Sequence, residues 1–84
     1  MTIRNALKIF RQEDHSIRIL QDSETDDIYI AKPTDLGMAP PTVLAWVCGQ
    51  KSDHFISYEG LNTRKSYLAL CDLAETLPKE REEK

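Results

Sequence analysis

The chain has 84 residues, 40% of them apolar and 30% charged, with 14 acids against 11 bases and a net charge of −3. That length holds one small domain burying roughly 60% of its unfolded surface, and the composition is globular rather than disordered. The acidic balance argues against nucleic-acid binding by bulk charge yet is too small for a DNA mimic, and no stretch nears the roughly 18 apolar residues of a membrane span.

In chain order, Thr2 to Gln12 places Ile3, Ala6, Leu7 and Phe10 on one helical face, with Thr2 able to cap it. Leu7-Lys8-Ile9-Phe10 also has β character, but Ile3 and Ala6 fit only the helical period, which favours the helix. Arg4, Asn5, Lys8 and Arg11 interrupt this N-terminus, so it does not read as a secretory leader. Ile17–Leu20 and Ile28–Ala31 are β-rich runs around the wholly polar Gln21–Asp27, which predicts a hairpin with the isoleucines covered and Arg18 and Tyr29 pointing out. Pro33 ends the second strand, and Thr34 to Pro41 is a connector.

Thr42-Val43-Leu44-Ala45-Trp46-Val47-Cys48 holds six consecutive apolar residues between Pro40-Pro41 and Gly49. Such a run predicts a strand covered on both faces, with Trp46 in the core. Gly49 to Asp53 is a turn, and His54 to Tyr58 is the strand that completes a second hairpin. Asn62 or Thr63 caps a final helix whose expected core face is Tyr67, Leu70, Cys71, Ala74 and Leu77, with Leu73 at the margin. Pro78 stops it. The expected fold is α+β, one antiparallel sheet of about four strands in the order α-β-β-β-β-α, with residues 1–77 as the domain and 78–84 as a solvated charged tail.

The chemistry is sparse. Asp22, Glu24, Asp26 and Asp27 share one loop, but an EF-hand reading from Asp22 meets Asp27 where glycine is needed and Pro33 where the bidentate glutamate belongs. The loop reads instead as a solvated turn or a contact for a basic partner. Cys48 and Cys71 sit in apolar company and read as reduced, buried small hydrophobes of a cytoplasmic protein. Cys48 and His54 could face each other across a hairpin, yet no third group orients the histidine. Gly37, Gly49 and Gly60 are isolated and form no phosphate loop, and no paired cysteine or histidine spacing suggests zinc.

Arg64 and Lys65 open the last helix, where a phosphate could sit, and Arg4, Lys8 and Arg11 share one side of the first. Tyr29 and Tyr58 alternate with covered residues and are candidate contact aromatics. Leu68 breaks the last helix's apolar pattern amid Arg64, Lys65, Asp72 and Glu75, the anatomy of an apolar anchor in a charged ring.

The expected function is a non-catalytic protein-binding module without cofactor, serving as inhibitor, adaptor or subunit. Its contact residues are drawn from Leu68, Arg64, Lys65, Asp72, Tyr29, Tyr58, Asp22, Glu24, Asp26 and Asp27. The partner is another protein, with a second copy of the chain as an option. Small acidic α+β chains of this kind occur among phage-encoded antagonists of host machinery, an analogy of size and composition alone. The runner-up is a nucleic-acid-binding module using the two basic groups, and the third reading is a small enzyme using Cys48 or His54.

Overall fold

A computed structural model describes residues 1–34, 40–58 and 61–82. Two helices lie on one face of a four-stranded antiparallel meander, in the expected order. Helix α1 spans Ile3–Glu13, and the Thr2 side chain accepts from the Asn5 amide at its start. The strands are β1 (Arg18–Gln21), β2 (Ile28–Lys32), β3 (Thr42–Val47) and β4 (Phe55–Ser57). Helix α2 spans Arg64–Glu75 and is capped by Thr63, whose oxygen accepts from the Ser66 amide. Among the described residues no helix is long and apolar enough to cross a membrane. The connector expected at 34–41 falls largely outside the described residues.

The core is the layer between helices and sheet. Ala6 and Phe10 of α1 and Ala69, Leu70, Leu73 and Ala74 of α2 meet Ile17, Ile28, Ile30, Leu44, Ala45 and Val47. At about 1.5–3 kcal/mol for each fully buried large side chain, this layer dominates stability. The small residues Ala6 and Ala69 sit in that layer, and the two helices pack closely against each other.

Three expectations are corrected here. First, β3 is not covered on both faces. Ala45 pairs with Ile30 and Val43 with Ala31, leaving Leu44 as an extra residue in a bulge. The bulge breaks the alternation, so Leu44, Ala45 and Val47 are buried while Val43 and Trp46 lie on the side away from the helices. Trp46 is half-buried there and is no part of the core.

Second, α2 is turned relative to the expected face. Ser66, Ala69, Leu70, Leu73 and Ala74 are buried, whereas Tyr67 and Leu77 are about half exposed. The sequence pattern misleads because Ser66, polar in type, is buried with its hydroxyl accepting from that of Thr63.

Third, residues 78–82 of the expected solvated tail are folded back. Pro78–Glu80 forms a 3-10 turn, and Arg81 is 1% exposed. Its carbonyl accepts from the Ile3 amide at 2.7 Å, tying the C-terminal segment to α1.

Candidate functional site

The side of the sheet away from the helices carries a continuous apolar surface. Ladder pairing aligns Leu20 with Tyr29, Tyr29 with Trp46, and Trp46 with Ile56, one row across all four strands. The next row runs Arg18, Ala31 and Val43, and is extended by Tyr58, whose amide donates to the Leu44 carbonyl at 2.9 Å. Leu20, Ile56 and Tyr58 are 45%, 48% and 51% exposed, while Tyr29 and Trp46 are half-buried between them. Tyr29, Val43, Trp46, Ile56 and Tyr58 line an open hollow. An antiparallel sheet with a solvated face normally presents polar residues there. This face does the reverse, and Arg18 is its charged member.

The other candidates lie elsewhere. Leu68 is 54% exposed and lines a groove between the helices with Met1, Ile9, Gln12, Lys65, Ala69 and Asp72. Arg64, at the helix start, is exposed but does not line that groove.

The acids Asp22, Glu24, Asp26 and Asp27 form the β1–β2 hairpin tip, where two of the carboxylates serve the backbone. Asp22 accepts from the amides of Glu24 and Thr25 at 2.8 and 3.2 Å, and these bonds hold its carboxyl below the usual aspartate range. Asp27 accepts from the Gly49 amide at 2.7 Å and thereby fastens the tip to the end of β3. Glu24 and Asp26 remain exposed.

Helix α1 turns Ile9, Gln12 and Glu13 toward α2, where they line a hollow with Thr63 and Lys65. Lys8 lies one helical turn before Gln12 on that side, whereas Arg11 donates to the Ile17 carbonyl beside β1.

The start of α2 is served by a carboxylate of the protein itself. Glu13 accepts from the amides of Asn62 and Thr63 at 2.9 and 2.6 Å, just ahead of the helix start at which the sequence left room for a phosphate. Glu13→Ala is expected to lower stability by about 1 kcal/mol, the usual net worth of a hydrogen bond to the backbone. Thermal unfolding followed by circular dichroism measures it, and an unchanged Tm removes Glu13 from this role.

Cys48 and His54 do lie across the β3–β4 turn, joined by a backbone bond from the Cys48 amide to the His54 carbonyl. No side-chain bond links them among the described residues, and His54 is exposed. Both cysteines are free.

Sequence reasoning found Tyr29 and Tyr58 but missed Leu20, Val43, Trp46 and Ile56. Leu20 and Ile56 carried a usable signal, since each alternates with a covered neighbour. Val43 and Trp46 did not, because the bulge at Leu44 has no mark in an all-apolar run. Compared with known protein families, curated proteins and solved structures, the chain gives no significant match.

Proposed function

We propose that this chain is a small, cytoplasmic, non-catalytic protein-binding module that acts through the uncovered face of its sheet. The observation that carries the reading is the cross-strand row Leu20–Tyr29–Trp46–Ile56 with Val43 and Tyr58 beside it, left open to solvent. Exposed apolar patches of this kind usually mark interaction surfaces. Tryptophan and tyrosine at the centre with charge kept to the edge is the composition of a protein-binding hot spot. The net charge of −3 gives the nucleic-acid reading no comparable support.

The test is site-specific photo-crosslinking. A photoreactive amino acid in place of Tyr58 should give adducts with a protein chain, and the same group in place of Glu75, exposed on α2, should give none. Absence of protein adducts at position 58, or equal labelling at both positions, overturns the reading. So does tight binding to a generic DNA duplex or single strand with a steep dependence on salt.

A further inference from the structure

The β1–β2 hairpin is electrically lopsided along its length. Asp22, Glu24, Asp26 and Asp27 crowd its tip, while Arg18 and Lys32 stand at its open end. Arg18 lies on the open face beside Leu20, is exposed, and has no carboxylate partner among the described residues. At the other end Glu24 is exposed, and only its amide is engaged, by Asp22. Three residues, about 10 Å of strand, separate Arg18 from the tip.

A face that is apolar in the middle and cationic at one end, with an acidic hairpin tip just beyond the other, complements itself when reversed. A twofold axis in the plane of the face and perpendicular to the strands performs that reversal. It stacks the apolar row of one copy on that of the other and lays each Arg18 over the other copy's acidic tip. We infer that the occupant of this face is a second copy of the chain, in an isologous, antiparallel dimer. The inference rests on the protein-binding reading above and names its partner.

Both partners contribute the same apolar centre, so the pairing buries no charge there, and the two Arg18–tip contacts fix direction more than strength. Strands of only three to six residues make a small face. The dimer therefore falls at the low end of interface sizes, below about 1,200 Å² in total, with micromolar dissociation.

Sedimentation velocity from about 1 to 200 μM tests it, spanning the affinity expected of so small an interface. The mass should rise from 9.6 kDa toward twice that value. Fluorescence of the single tryptophan, Trp46, should shift to the blue over the same range as the face dries. Ile56→Glu and Leu20→Glu, at exposed positions on opposite edge strands, should each abolish the rise with an unchanged circular dichroism spectrum.

Arg18→Glu and Glu24→Lys should each weaken association about tenfold, and the two combined in one chain should return it to within about threefold of wild type. That rescue is specific to self-pairing, because a different partner meets two reversed charges rather than a restored pair.

A wild-type protein still at 9.6 kDa at the top concentration overturns the inference, as does a dimer indifferent to both face variants. A double charge reversal no better than the worse single one overturns the antiparallel arrangement. A monomer that nevertheless cross-links through position 58 to another protein ends the self-pairing and leaves the protein-binding function standing.

Discussion

Arg81→Met is expected to destabilise the domain by at least about 3 kcal/mol, a large share of the roughly 4–12 kcal/mol that stabilises a chain of this length. The guanidinium is buried at the C-terminal end of α2, a helix with no basic residue of its own in the last turn. Its Nε donates to the carbonyls of Leu73 and Thr76, each at 3.0 Å, and Nη2 donates to that of Ala74 at 3.0 Å. These belong to the carbonyls that a helix end leaves without intrahelical partners. Nη1 reaches across to the Cys48 carbonyl at 2.6 Å, past the end of β3. One side chain thus joins helix, sheet and C-terminal turn. Burial lowers the guanidinium pKa, but from so high a starting value that the charge persists at any physiological pH.

Methionine keeps most of the stem and removes every donor, so the carbonyls lose the guanidinium while the packing largely stays. Of the three at the end of α2, that of Ala74 keeps the Asp53 amide. Arg81→Lys should recover only part of the loss, since an ammonium cannot reproduce the planar fork. Removal of residues 78–84 should cost at least as much as Arg81→Met. Urea denaturation reads all three. A midpoint for Arg81→Met or the truncation within about 0.5 kcal/mol of wild type, the range of an ordinary surface change, would show that the C-terminal segment is dispensable.

Arg81 also shows where sequence reading stops. Both helices, all four strands and their order along the chain were legible from local signals: helical spacing in Ile3–Phe10, alternation in Ile17–Leu20 and Ile28–Ala31, and threonine caps at Thr2 and Thr63. An arginine among Lys79, Glu80, Glu82, Glu83 and Lys84 has no such signal. Its burial depends on carbonyls from residues 48 to 76, which the fold alone assembles.

The candidate face was half legible for the same reason. Period-two alternation holds on β2 and the edges, so Tyr29 and Tyr58 could be placed. On β3 a bulge at Leu44 breaks the period, and the apolar run that looked two-sided became one covered side and one open one. The rotation of α2 is the helical counterpart. Buried Ser66 and exposed Tyr67 invert what their side-chain types suggest, because Ser66 bonds locally to Thr63 and needs no water.

Gly49→Ala is the second large effect, and it connects stability to the proposed surface. Gly49 follows β3 and is buried against the hairpin tip. A methyl group there would fall well inside van der Waals contact with the backbone of Asp26 and Asp27. Those neighbours are main-chain atoms, so no rotamer change relieves the clash, and the two segments must part. The same movement breaks the bond from the Gly49 amide to the Asp27 carboxylate. Overpacking typically costs about 1–3 kcal/mol, and rigid backbone on the receiving side puts this substitution at the top of that range or beyond.

Asp26→Gly is the matched control. Asp26 holds φ at 62°, a left-handed conformation that glycine adopts without penalty, so that change should alter stability by no more than about 1 kcal/mol in either direction. Because Gly49 presses the tip against β3, Gly49→Ala should also shift Glu24 and weaken self-association, even where enough folded protein remains to measure it. Chemical denaturation combined with sedimentation separates the two effects. Wild-type stability in Gly49→Ala would show that the close approach of hairpin tip and β3 is not kept in solution. A destabilised variant that still dimerises at wild-type affinity would show that the acidic tip plays no part in pairing.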